Sequence, residues 1–537
     1  MTSAAGSPTP AVHTLDTAVL TDAGSIEVGG DLGGSSNTPA AATEPTVTAP
    51  TTAVLAGPRL TLTARVVVDG PRWSASIPLT AARWGGPALP APSGSYHLEL
   101  RSGDAAGHAP HPTPELMVVA ATPRTLTRIA TVTLRPSDAA LNVELAPPLT
   151  DAERGPAQQA RLEAGYRAAR PEPLDAVFFE SFYGQTASCN PLALDREIAA
   201  RHPHVTRYWS VVDASVRVPD GAIALIEGSE QWWNIRAAAR LIVVNDWLRK
   251  RFRRRKHQTV LQTWHGTPLK RIALTRPGLR PRAAVATVLE RLRWDALLSQ
   301  NPYSSGIFRS AYAYLGSPWE EGYPRNDVLA APPSAETIAA LRERIGIPEG
   351  ATVVLYAPTW RDDSPERVDQ LDVAAFSAEL GAGHVTLLRG HSRSLSGGHD
   401  IHASRVIDVT TYPDAAELFL VADVLVTDYS SVMFDFSVTG KPMYFFTPDL
   451  DSYRDHMRGF YFDLLAVSPG PVVSTSAELV AALRDTAASS APFAARYAAW
   501  TARFNPRDDG KAANRVVRRL VHRGAIHAGE INERPGT

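Results

Sequence analysis

Hydrophobic and polar positions along the chain follow three successive patterns. Up to about Leu55, large apolar side chains are sparse among Ala, Thr, Pro, Gly and Ser. A stretch of that kind buries too little surface to offset its ordering entropy, so residues 1–56 are expected to form a disordered tail. From Arg59 the runs LTLTARVVVD, YHLELRS, ELMVVAA and IATVTLR alternate or are β-branched, with turn residues between them. Short strands at such close spacing predict a small all-β domain over 57–150. ERGPAQQARLEAGYRAAR then reads as a helical linker, 151–172.

After Pro173 the pattern changes. DAVFFES, TRYWSVVD, AIALIEG, RLIVVND and TVLQTW are short apolar runs, with the helical segments PLALDREIAARH and SEQWWNIRAAA between some of them. A second series begins at ATVVLYAPTW and continues through HVTLLRG, SRVIDVT, DVLVTD and KPMYFF. Strands alternating with helices predict parallel sheets covered on both faces, an α/β fold. The expected boundaries are 173–332 and 333–523 for two α/β domains, the second including the closing helices, with 524–537 a tail. Two such domains leave a cleft, and ligands of open α/β sheets bind beyond the carboxyl ends of the strands.

Composition narrows the picture. The chain has 537 residues, of which 44 % are hydrophobic and 20 % charged, and a net charge of -1. Those values fit a globular chain and show no overall bias toward nucleic acid. One cysteine, Cys189, excludes an intrachain disulfide and a cysteine-based zinc site. No segment is apolar over the length needed to span a bilayer. The first twenty residues also lack the basic start and apolar core of a signal peptide.

Four constellations follow strands. In QTWHGTPLKRI, His265 and Gly266 stand at a strand end, and Thr267 with Pro268 predicts a capped helix start. His265 can serve as a general base and Lys270 can meet a phosphate; a capped helix with an incidental histidine reads equally well. APTWRDD sets Thr359 and the carboxylates Asp362 and Asp363 at the mouth of the second sheet, where a polar loop is the plain alternative. LLRGHSR flanks His391 with Arg389 and Arg393, either a pyrophosphate-binding group or a solvated basic loop. DVLVTDYSSVMFDFSVTGKP runs from a buried strand through Thr427, Ser430 and Ser431 into a helix bearing Asp435. Free amides and the positive dipole end there suit a phosphate, and simple capping by Asp428 or Ser430 accompanies either reading. Separately, Arg249 to Lys256 holds seven basic residues in eight positions. That run is a solvated loop or a contact with an anionic surface or polymer.

Taken together, FFESFYGQTASCNPLAL, QTWHGTPLKRI, YAPTWRDD and VTDYSSVMFDFSVTGKPMYFFTPDLDSYRD resemble the CDP-glycerol:poly(glycerophosphate) glycerophosphotransferase family over roughly Leu174 to Leu465. The resemblance implies a GT-B-like architecture, two Rossmann-like domains facing a cleft, preceded here by the disordered segment and the β domain. It implies His265 as catalytic base and His391 as a second essential histidine near the donor pyrophosphate. Donor contacts fall to Arg389, Thr359, Thr427, Ser430, Ser431 and Asp435, and phosphate or acceptor contacts to Thr267 and Lys270.

The implied reaction moves glycerol phosphate or ribitol phosphate from a CDP-alditol to a lipid-linked teichoic acid acceptor and releases CMP. No cofactor and no metal are expected. The expected location is cytoplasmic, peripheral on the inner face of the membrane, where the lipid-linked acceptor lies. Two other functions fit the same residues: a nucleotide-sugar glycosyltransferase of the same fold, or a non-catalytic wall-polymer binding protein.

Overall fold

Strict alternation builds the first part of the molecule. In Arg72–Pro78 every second side chain is buried. Trp73, Ala75 and Ile77 thereby join Ile26, Val28, Leu55, Tyr96, Leu98 and Val143 in one apolar cluster. The computed structural model describes residues 13–33, 49–103, 107–118, 123–249, 252–359, 370–390, 405–449 and 459–527. They fall into two units, the first reaching Arg154 and also taking in Asp213–Val216. It contains a six-stranded antiparallel sheet and a four-stranded one. A short helix, Pro114–Val118, makes it β-rich rather than all-β.

The expectation of a disordered tail through residue 56 does not hold for the residues described there. Thr17–Leu20 and Ser25–Asp31 pair as a hairpin, Ser25–Asp31 pairs with Arg72–Pro78, and Thr52–Ala56 lies within the six-stranded sheet. The apolar residues are few, but Ala18, Leu20, Ile26 and Val28 fall two apart and all reach the core. Sparse composition hid that period.

The second unit contains two parallel sheets. The first, seven-stranded, runs in space Ile223–Ile226, Thr206–Val211, Leu174–Glu180, Ala239–Val244, Thr259–Gln262, Ala296–Ser299, Trp319–Glu320. The second runs Val406–Asp408, His384–Leu388, Thr352–Ala357, Val424–Thr427, Met443–Phe446, Val472–Val473. Both place their first strand centrally, extend to one side, then return to the other, the 3-2-1-4-5-6 order of doubly wound sheets. Helices on the faces explain the unbroken apolar runs: Phe178, Phe179, Ile242, Val243, Val260, Leu261, Leu297 and Leu298 are fully buried.

Two further expectations change. No helix starts at Thr267; the chain from Thr263 to Ile272 is loop, and the next full helix is Pro281–Arg291. The last helix, Ala512–His522, expected with the second sheet, packs on the first half. Asn514 donates to Glu197 at 2.8 Å, Arg519 pairs with Glu321, and the Asp327 carboxylate accepts the amides of Ala512 and Ala513. Its amphipathic sequence specifies a buried face and leaves the partner open.

Candidate active site

In an open α/β sheet the crevice lies where strand order reverses, beyond the carboxyl ends of the two central strands. In the first sheet those strands end at Glu180 and Val244. The residues just past them meet. Asn245 Oδ1 accepts the Phe182 amide at 2.8 Å, and its Nδ2 donates to Ser181 Oγ. The main-chain oxygen of Asn245 accepts from His265 Nδ1 at 2.6 Å. His265 enters from the neighbouring strand, Thr259–Gln262, through Trp264, whose φ of 54° turns the chain sharply. The imidazole stacks on Trp264 at 4.8 Å and meets Phe182 edge-on at 5.5 Å.

A carbonyl oxygen only accepts, so Nδ1 must carry the proton and Nε2 keeps its lone pair. Among the described residues no hydrogen bond engages Nε2. Burial lowers the pKa of His265; Asp246 and the Asn245 carbonyl raise it, Arg325 lowers it and Asp435 raises it. The net direction is down, so the ring is neutral at pH 7 and Nε2 can take a proton.

The loop around His265 is held at three consecutive carbonyls. Asn190 Nδ2 donates to those of Thr263 and Trp264, and Arg325 Nη1 donates to that of His265 at 3.0 Å. Arg325 also forms a bidentate pair with Asp435, whose carboxylate accepts from Asn326 as well. Asp435 is buried and anchors Arg325. Thr267 is likewise internal, its hydroxyl shared among Gln300, Ser304 and Asn301. That inward turn is why it caps no helix.

The second sheet's reversal point lies between Thr352–Ala357 and Val424–Thr427. Here the Thr359 amide donates to both oxygens of Asp428, and the buried Thr427 hydroxyl donates to the Ala357 carbonyl at 2.7 Å. Thr427 therefore locks the two strand ends together. Ser430 and Ser431 are half-exposed before the helical turn Val432–Phe436, and Ser431 forms no side-chain capping bond. Gly266 lies against this segment: a Cβ added there would stand 2.8 Å from Ser431 Oγ. The structure thus brings Gly266, the residue after His265, against Ser431.

Other called residues lie elsewhere. Arg389 is half-buried just after His384–Leu388 and donates to the carbonyls of Val409 and Tyr412. Burial lowers its pKa, and its role there is to tie down the loop. Lys270 bridges to Phe460, within a stretch where Arg271 donates to Gly459 and Tyr461 donates to Leu269. His391, Arg393, Asp362 and Asp363 lie outside the described residues, as do Lys250 and Arg251 of the basic run. In the rest of that run, Arg253 and Arg255 donate to the carbonyls of Arg167 and Tyr166, and Arg254 pairs with Asp295.

Sequence reasoning missed Asn245, Asn190 and Arg325. Asn245 had the same signal as His265, a polar residue directly after an apolar run. Arg325, in GYPRND, carried no local signal because all its partners are distant in sequence.

Comparison with known proteins gives a consistent set. The family profile described as CDP-glycerol:poly(glycerophosphate) glycerophosphotransferase matches residues 166–522. The chain is 37 % identical over 357 residues to a teichoic acid poly(glycerol phosphate) polymerase of Bacillus subtilis (strain 168). That match covers 64 % of the chain and 48 % of the relative, about half of its length. A teichoic acid glycerol-phosphate transferase of Staphylococcus aureus (strain NCTC 8325 / PS 47) is 35 % identical over 364 residues, 64 % of the chain and 92 % of the relative. Among solved structures, the wall teichoic acid polymerase TagF superposes with a TM-score of 0.63 at 31 % identity, covering 68 % of this chain and 94 % of that one.

Proposed function

Because the chain belongs to the CDP-glycerol:poly(glycerophosphate) glycerophosphotransferase family, we propose that it transfers glycerol phosphate from CDP-glycerol to the end of a lipid-linked teichoic acid chain and releases CMP. The two doubly wound halves act as a GT-B-like pair facing a cleft, with the acceptor on the His265 side and the donor on the Ser430 side. The carrying observation is the 2.6 Å bond from His265 Nδ1 to the Asn245 carbonyl, which leaves Nε2 basic, while the next residue, Gly266, lies against Ser431.

In the reaction, Nε2 of His265 takes the proton of the acceptor's terminal hydroxyl. The hydroxyl oxygen attacks the phosphorus that bears the glycerol, a new P–O bond forms, and the P–O bond to CMP breaks. CMP leaves with the bonding pair. A transition state of this kind needs alignment and neutralised oxygen charge more than covalent help from the protein. Ser430 and Ser431 hold the donor phosphates. His391, two residues beyond Arg389 in sequence, keeps the role that its motif implies at the donor pyrophosphate. No metal is assigned to the reaction.

The lipid-linked acceptor requires the protein to reach a membrane, and we assign it a peripheral place there. Among the described residues no helix is long and apolar enough to cross a membrane. Helix Pro281–Arg291 supports a surface contact. Val285 and Leu289, with Leu292 just beyond, are exposed at 59 %, 55 % and 55 %, spaced four and three residues apart. Exposed Arg276, Arg280 and Arg282 lie near its start. An apolar stripe edged by arginine is the pattern of an interfacial helix.

The function is tested by incubating the protein with a lipid-linked acceptor and CDP-glycerol, CDP-ribitol or a UDP-sugar in turn, and measuring CMP or UDP release with mass analysis of the product. CMP release with addition of glycerol phosphate units is expected. Turnover of the UDP-sugar alone would replace this reading with a glycosyltransferase. In the Ser430→Ala, Ser431→Ala double variant, calorimetry should show weaker CDP-glycerol binding, by roughly five- to thirty-fold for one or two lost hydrogen bonds. Unchanged donor affinity would remove both serines from the donor site.

A further inference from the structure

We propose that Arg325 is a positioning residue for His265: its guanidinium ties the His265 peptide to Asp435 and so fixes the backbone that carries the imidazole relative to the segment of Ser431. Arg325 stands on the helical turn Pro324–Asn326, after the last strand of the first sheet. Its Nη1 donates to the His265 carbonyl and to Cys189 Sγ, both at 3.0 Å. Its Nε and Nη2 donate to the two oxygens of Asp435, at 3.3 and 2.6 Å. Asp435 belongs to the turn Val432–Phe436, which begins directly after Ser431. One planar group therefore spans from the base's own peptide to the segment beside the proposed donor site.

The backbone of Arg325 is fixed too. Its amide donates to Asn190 Oδ1, and Asn190 Nδ2 holds the carbonyls of Thr263 and Trp264. These contacts surround Trp264 at its φ of 54°, a backbone that persists only when its surroundings over-determine it. Lysine cannot substitute: a single ammonium has no fork with which to meet a carboxylate and a peptide carbonyl in fixed directions. A buried ion pair can also be mere fold stabilisation, so the test needs readouts that a structural role alone would not move.

Charge supplies one. The groups acting on His265 are Asp246, which also bonds the Tyr183 hydroxyl, together with Arg325 and Asp435. Cys189 and Tyr323 flank Arg325. Arg325 lowers the His265 pKa and Asp435 raises it. Removing the cation alone should move the imidazole titration up, and removing the carboxylate alone should move it down.

This inference rests on the general-base role of His265, which wild-type turnover of CDP-glycerol tests by itself. Full-length Arg325→Lys, Arg325→Gln, Asp435→Asn and Arg325→Gln/Asp435→Asn proteins are compared with wild type. Arg325→Lys keeps the charge but loses the fork, and should lower kcat by roughly ten- to a hundred-fold, with KM for CDP-glycerol changed by less than about three-fold. The His265 resonance, assigned by its loss in His265→Gln, should titrate higher in Arg325→Gln and lower in Asp435→Asn. Full kcat in Arg325→Lys while wild type turns over overturns the inference and leaves the function standing. A wild type that releases no CMP overturns the function, and the titration still decides whether Arg325 and Asp435 act on the imidazole. A titration unmoved by both single changes overturns the inference. If Arg325→Gln does not fold, Asp435→Asn and Arg325→Lys decide.

Discussion

The Nδ1–H of His265 donates to the main-chain oxygen of Asn245 at 2.6 Å. Asn245 closes the neighbouring strand, so the ring's tautomer is set by the sheet itself and not by a mobile side chain. A backbone carbonyl cannot change protonation state, so whenever the ring is neutral its proton stays on Nδ1 and Nε2 holds the free lone pair.

Replacing His265 by alanine or glutamine should lower kcat by roughly a hundred- to ten-thousand-fold while CDP-glycerol binding by calorimetry stays within a few-fold. The pH profile carries the sign. Burial, the largest influence, lowers the His265 pKa, and the base must be neutral. The acid limb of kcat/KM should therefore fall below the ordinary histidine value of about 6.5, with activity retained at pH 6.5. A limb at or above that value would contradict the burial argument.

Gly266 offers a test of how closely the two halves of the site approach. A Cβ there would meet Ser431 Oγ at 2.8 Å and Ser431 Cβ at 3.1 Å. Gly266→Ala should reduce turnover by about ten-fold or more through displacement of the reacting groups. In a double-mutant cycle, Gly266→Ala should cost much less in a Ser431→Gly background, because the clash is gone. Additive losses would mean that the alanine acts some other way.

Attachment to membranes should depend on the exposed face of Pro281–Arg291. Changing Val285, Leu289 and Leu292 to serine should abolish most co-sedimentation with vesicles containing phosphatidylglycerol and leave turnover of a short soluble acceptor near normal. Wild-type binding should weaken as salt is raised, since exposed arginines are screened. If the triple variant sediments as wild type does, this helix is not the contact.

Turnover should persist in excess EDTA. The proposed reaction assigns proton transfer to His265 and phosphate contacts to serine hydroxyls, and the carboxylate of Asp435 is held by Arg325 and Asn326. Activity lost in chelator and restored by magnesium or manganese would require a metal ligand set outside these residues.

What the sequence determined by itself was local. Runs such as VVLY and LIVV are apolar at consecutive positions because both sheet faces are covered, and that pattern is readable from spacing alone. The residue after such a run must lie near a strand end, which is how His265 and Ser431 were found. Tertiary structure decided everything that depends on a partner distant in the chain. Thr267 looks like a helix cap in isolation, yet Gln300 and Ser304 draw its hydroxyl inward. Nothing near Asp435 in sequence announces that Arg325, 110 residues away, holds it. The strands before residue 32 are too poor in apolar side chains to signal themselves, and become ordered by pairing with Arg72–Pro78. The physical reason is the same in each case. Periodicity reports which face of a segment is buried, whereas a hydrogen bond between side chains is fixed only when folding brings donor and acceptor within about 3 Å.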